Sequence, residues 1–256
     1  MLSNNKVKEK MASGKKVIGS FFSLGSTAVV EILGLAGLDF IMIDTEHGPF
    51  DVETAASFIM ASELRGMTPM VRVKDYKRNS VLKMLDVGAM GLLVPFIKTV
   101  EEVKELVSYG KYRPVGDRGC GFGRKAGFGL EPMVANINNY FNWANNETLI
   151  IPQCETVEAL ECIEEIAAIE GVDGIFIGPF DLSIAMNIPR QFSHPDFIAA
   201  NQRVLKACKD NGKFCWTLGM TPDDAKAKFE SGFDGVLSAD TAFLAGGVTQ
   251  FLKGTE

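Results

Sequence analysis

Histidine is nearly missing from this chain, with two in 256 residues, and that excludes a zinc centre built from several imidazoles. Cysteine offers no substitute. The five present, Cys120, Cys154, Cys162, Cys208 and Cys215, are odd in number and include no C-x-x-C pair. That argues against a disulfide framework and a thiolate metal site alike, and it suits a reducing compartment. Positive charge is not in excess either. The formal net charge is −6, so nucleic-acid phosphates and anionic membrane surfaces would be repelled as partners. No apolar run approaches the ~20 residues of a membrane span. The polar, basic start MLSNNKVKEKMASGKK lacks the apolar centre of a secretory signal. A soluble cytoplasmic protein is the expectation. Low-complexity tracts are absent, as is the G-x-G-x-x-G after a first strand that would favour an open, doubly wound sheet.

What is present is ordinary core material, 46% hydrophobic and 23% charged residues, laid out in a rhythm. Short apolar runs recur as VIGSFF (17–22), FIMID (40–44), MVRV (70–73), GLLVP (91–95), LIIPQ (149–153), GIFIG (174–178), KFCW (213–216) and GVLSA (235–239). Most are separated by stretches with helical apolar spacing, as at 28–36, 52–65, 81–87, 100–109, 157–168, 197–211 and 222–231. Thr221-Pro222 and Ser193-His194-Pro195 read as helix starts, Gly212 and Gly232 as helix stops. The length is close to the about 250 residues of a (β/α)8 barrel. The pattern therefore predicts a single-domain α/β TIM barrel over residues 1–256, with a short polar N-terminal extension and a C-terminal helix. Residues 110–148 break the rhythm. They are too long and glycine-rich for a simple connection, and are expected to be functional or to carry small helices of their own.

In a parallel barrel the residues that follow the strands gather on one rim, where such folds carry their active sites. Here they are Asp44, Glu46 and His47 after the second run, Arg72 on the third, Gln153 and Glu155 at the fifth, and Asp181 after the sixth. Each has an ordinary reading as well: Asp44 and Asp181 as turn or cap residues, His47 as a turn residue before Gly-Pro, Glu155 as a helix-entry carboxylate. Arg72 is harder to explain away. A guanidinium between Val71 and Val73 must be paired or face a polar cavity. Glu155 and Asp181 make a sensible oxygen pair for a hard divalent ion such as Mg2+ or Mn2+. It is the convergence on one rim that favours chemistry.

The segments IDTEHGP (43–49), VRV (71–73), LDVGAMGLLVP (85–95), YRPVGDRG (112–119), QCET (153–156) and GVDGIFIGPFDLS (171–183) resemble, in order and spacing, the HpcH/HpaI family of metal-dependent class II pyruvate aldolases. The resemblance runs from about residue 17 to residue 245. It implies a TIM barrel that assembles as a homo-hexamer, a trimer of dimers, often with an exchanged C-terminal helix. It implies an aldehyde-lyase that splits a 4-hydroxy-2-oxoacid, its small-molecule partner, into pyruvate and an aldehyde. It also implies roles. Glu155 and Asp181 would bind the metal (Mg2+ or Mn2+, with Co2+ or Zn2+ as further candidates), and no other cofactor would be needed. His47 and Asp44 would form a base-and-orienter dyad, Arg72 would contact the keto oxygen, and Gln153, Gly178 and Pro179 would lie against the pyruvate end.

Departures from the family pattern fall at Phe21-Phe22, at GCGFGRKAGFG after Arg118, and at FCWTLGM (214–220). All three segments are expected to line the aldehyde end, where Phe21, Phe122 and Phe128 point to a less acidic acceptor, and Arg118 and Arg124 are expected at a subunit contact. Three rivals stand beside the aldolase reading. One is a Schiff-base aldolase using Lys74 or Lys98. The others are another enolate-forming lyase or decarboxylase on the same scaffold, and a non-catalytic oxoacid-binding protein.

Overall fold

The computed structural model describes residues 2–255. Eight parallel strands close into a barrel: β1 (Val17–Phe22), β2 (Phe40–Asp44), β3 (Thr68–Arg72), β4 (Gly91–Val94), β5 (Leu149–Cys154), β6 (Gly174–Ile177), β7 (Phe214–Leu218) and β8 (Gly235–Ala239). Each pairs with the next, and β8 returns to β1 with Val17 opposite Gly235. This is the expected (β/α)8 barrel. Helices cover the outside and side chains fill the inside, so the strands are buried on both faces; FIMID of β2 is buried at every position.

Phe40, Met42, Met70, Leu93, Ile151, Phe176, Trp216 and Leu237 fill the barrel interior, while a larger cluster joins the strands to the helices. Full burial of such side chains stabilises by roughly 1.5–3 kcal/mol each. The base of the barrel is closed by the N-terminal segment expected to be a polar extension. Residues Lys6–Ala12 form a helix that inserts Val7 and Met11 beneath the barrel. Asn5 caps it by accepting from the Lys8 amide, and its own amide group donates to the carbonyls of Met90 (3.0 Å) and Glu147 (2.9 Å).

The helix signals behave as read, with one shift. Thr221 accepts from the Asp224 amide at 3.1 Å, but in Ser193-His194-Pro195 the cap is His194, whose Nδ1 accepts from the Asp196 amide at 3.2 Å. Gly212 and Gly232 take positive φ (64° and 109°) where their helices stop. Residues 110–148 carry short 3-10 turns and the helix Ile137–Glu147, around a small cluster of Tyr112, Ala126, Val134, Tyr140 and Ala144. No helix among the described residues is long and apolar enough to cross a membrane.

Candidate active site

A cavity of about 360 Å3 opens at the C-terminal ends of the strands, lined by Asp44, His47, Arg72, Gln153, Gly178, Pro179 and Asp181 among others. Its chemistry begins with strand register. Asp44 ends β2 directly opposite Arg72 at the end of β3. Both carboxylate oxygens of Asp44 accept from the guanidinium, Oδ1 from Nε at 2.9 Å and Oδ2 from Nη2 at 2.6 Å, a forked pairing with more direction and strength than a single ion contact. The remaining Arg72 nitrogen, Nη1, lies 3.3 Å from Glu46 Oε2, and the guanidinium covers the Phe21 ring at 4.5 Å. Arg72 is thus paired twice and stacked once.

The expected His47–Asp44 dyad is not joined directly in this structure. Asp44 does not hold the His47 ring; its Oδ1 accepts the backbone amides of Glu46 (3.1 Å) and His47 (3.3 Å) while both oxygens serve Arg72. The imidazole stands at the cavity edge, its side chain 71% exposed, with Nε2 3.9 Å from Glu46 Oε2. A short polar turn after a strand lets the aspartate fold back on its own backbone, and the strand-paired arginine takes the remaining valence.

Glu155 follows β5. Its Oε1 accepts the Phe96 amide at 2.6 Å and its Oε2 accepts from Gln153 Nε2. Phe96 reaches that position with φ of 54°, a left-handed backbone no sequence rule assigns to phenylalanine. Gln153 Oε1 is buried with no partner within the described residues, a polar atom available to a ligand. Gly178 is required where it stands: a Cβ there would come within 2.7 Å of Gln153 Nε2 and 3.0 Å of Glu155 Oε2. Beyond it, the helix Pro179–Ala185 brings Asp181 to the cavity.

Burial pushes the Glu155 carboxyl up to about 7; the Phe96 amide pulls it down, and Asp181 and Glu46 push it further up. Glu46 is raised as well, first by burial and then by Asp44 and Asp181, against the pull of Arg72 and His47. Carboxylates crowded enough to hold a proton are a setting that a hard cation relieves, and the available donors are all oxygens. No group of three or more His, Cys, Asp or Glu among the described residues could hold a metal by itself. A divalent ion on Glu155 and Asp181 would therefore complete its shell with substrate and water oxygens.

The chain belongs to the HpcH/HpaI aldolase/citrate lyase family, whose sequence pattern matches residues 18–240. That span takes in every residue of the site above. The chain is 37% identical over 228 residues to a 5-keto-4-deoxy-D-glucarate aldolase of Salmonella arizonae, covering 89% of this chain and 87% of that one. Among solved structures, an HpcH/HpaI aldolase from Desulfitobacterium hafniense superposes with a TM-score of 0.91 at 28% identity, covering 99% and 97% of the two chains. A citrate synthase, SbnG, superposes at 0.84 with 29% identity, covering 97% and 98%.

Other expectations for this HpcH/HpaI chain are met unevenly. Phe21 lines the cavity, but Phe122 and Phe128 are exposed outside it, at 54% and 69%. Arg118 is buried, donates to Asp86 at 2.8 Å and stacks on Tyr112, and Arg124 bonds Glu63 and the Val87 carbonyl, so both make contacts within the chain. Lys98 pairs with Glu158, and Lys74 lines a separate cavity of about 210 Å3. No lysine among the described residues lines the active-site cavity. Leu218 and Met220, from the FCWTLGM segment expected at the aldehyde end, line it as well, as do Phe176 and Phe180, which went unnoticed in the sequence because apolar residues at strand ends read as core.

Proposed function

We propose that the chain is a class II, metal-assisted aldolase that cleaves a 4-hydroxy-2-oxoacid reversibly into pyruvate and an aldehyde. The observation that carries this reading is the gathering of Arg72, Asp181 and His47 around one cavity at the barrel mouth, with the Glu155 carboxyl behind Gln153 and Gly178 of its lining. Mg2+ or Mn2+ on Glu155 and Asp181 would supply Lewis-acid polarisation of the 2-keto oxygen. Arg72, fixed by Asp44 and Glu46, presents positive charge beside the oxygen that becomes the pyruvate enolate. His47, the histidine that lines the cavity, takes the proton from the C4 hydroxyl as the C3–C4 bond breaks and its electron pair passes toward C2. The same proton then returns to C3, releasing pyruvate. Gln153 and the backbone at Gly178 and Pro179 lie against the pyruvate end.

The same reading includes a cytoplasmic setting and a homo-hexamer. The first is supported by five unpaired cysteines. The second is supported by the C-terminal helix Asp240–Lys253, on which Phe243, Leu244, Val248, Phe251 and Leu252 are all exposed, an apolar face of the kind that a second copy covers. The test of the chemistry is exchange of pyruvate methyl protons in D2O, followed by NMR, with Mg2+ or Mn2+, with EDTA, and with His47→Ala. Exchange that needs both metal and His47 is expected; exchange undiminished in EDTA would overturn the metal assignment. A relative that is a citrate synthase at 29% identity leaves an electrophile other than an aldehyde as a second reading, and an acceptor screen on the same exchange assay separates the two.

A further inference from the structure

Five of the residues lining the cavity are large and apolar: Phe21, Phe176, Phe180, Leu218 and Met220. Phe21 lies under Arg72 and Phe176 pairs with Gln153, on the pyruvate side, which leaves Phe180, Leu218 and Met220, at the exits of β6 and β7, for the acceptor half. Phe21 and Phe176 meet edge to face at 6.0 Å. Phe180 is braced from behind: Phe192 packs edge-on against it at 5.5 Å and itself rests on the buried Phe197 at 5.5 Å. The backbone is fastened as well. The buried Ser183 hydroxyl donates to the Phe180 carbonyl at 2.7 Å and accepts the Arg190 amide at 3.0 Å, holding Arg190 at a φ of 59°. That loop lays the Arg190 guanidinium over the Phe180 ring at 5.6 Å, outside the cavity lining.

Charge on the lining points the same way. Arg72, the one cation lining the cavity among the described residues, already carries Asp44 and Glu46. Against it stand Asp44 and Asp181 on the lining, with Glu46 and Glu155 close beside them, so that carboxylates outnumber the cation. A divalent ion would offset two, and the pyruvate carboxylate would add one back. A second carboxylate on the acceptor half would enter a negative, apolar pocket with no free cation to meet it, and burying an unpaired charge is strongly unfavourable. Ser23, the polar residue of β1's exit, is committed to Asp240 at 3.1 Å.

We propose that the acceptor half of the substrate is an uncharged, apolar aldehyde, and that the ring of Phe180, braced by Phe192 and the Ser183-tethered Arg190 loop, is the residue that sets its size. The inference rests on the aldolase reading and deepens it. The test compares two acceptors of matched shape in aldol addition to pyruvate, 4-methylpentanal and 4-oxobutanoate, which differ in carrying an isopropyl or a carboxylate end. At low salt, kcat/KM is expected to favour the apolar acceptor by about tenfold or more, and Phe180→Ala to erode that ratio severalfold when each variant is normalised to its own pyruvate exchange rate. A wild-type preference for 4-oxobutanoate overturns the inference while leaving the aldolase reading intact; if that preference vanishes in Arg190→Gln, the guanidinium reads a carboxylate instead. Equal loss for both acceptors in Phe180→Ala removes its role in specificity. Absence of pyruvate exchange in the wild type overturns the aldolase reading itself, and this inference with it.

Discussion

Arg72 holds two carboxylates at once, and the shape of its guanidinium makes that feasible. Lysine offers charge without the fork. Arg72→Lys is therefore expected to keep the fold by circular dichroism and to slow pyruvate proton exchange by about 10²-fold, the scale on which a fixed donor at a developing oxyanion acts. Glu155 gives a prediction in pH. Its carboxyl is raised from 4.5 to about 7, so folding takes up a proton there. The stability that proton brings is present below the unfolded value and lost as pH rises through about 7. Thermal melts of chelated protein should show Tm falling from about pH 5 to 8, a trend that Glu155→Gln flattens. Metal affinity should move oppositely, rising as the proton leaves. The identities of these residues were legible in the sequence because polar groups at strand ends are conspicuous. Their partners were not. Asp44 could be placed on the rim, yet whether it turned to His47 or Arg72 depended on the β2–β3 register, a tertiary fact.

At the scale of elements, Gly178 is the point where β6 gives way to the helix carrying Asp181, and the space for its hydrogen is taken from Gln153 and Glu155. Gly178→Ala is expected to displace the Glu155 carboxylate and weaken divalent-metal binding by tenfold or more, measured by calorimetry, with the barrel intact. The helix Lys6–Ala12 matters for stability instead of chemistry. Met11→Ala leaves a void beneath the barrel and should cost roughly 2–5 kcal/mol in urea unfolding without altering proton exchange in the folded protein. That helix was hidden in the sequence because its buried apolar residues, Val7 and Met11, sit among five lysines and a glutamate in residues 6–16. Strands were legible where a run was continuous, as in β2. β3 begins earlier than its apolar run, at Thr68-Pro69, since β2 offers a partner at Phe40 and Ile41; β7 extends through Thr217 because Ile177 and Val236 flank it.

For the whole molecule, the exposed apolar face of the C-terminal helix carries the assembly prediction. Light scattering after size exclusion is expected to give a multiple of the 27.8 kDa chain, and Phe251→Asp with Leu244→Asp to shift it to smaller species. The barrel was legible from alternation and length together, whereas a contact between copies leaves no periodic trace in the chain. The seam between β1 and β8 has one further consequence. Strands that neighbour each other across it, Val17 and Gly235 at one end, are among the last to be synthesised together. A nascent chain halted anywhere before β8 carries two open sheet edges and an incomplete barrel, however well its earlier units have formed. Closure is thus an event of the released or nearly released polypeptide, and premature termination upstream of β8 yields a species suited to chaperone capture rather than a smaller working enzyme.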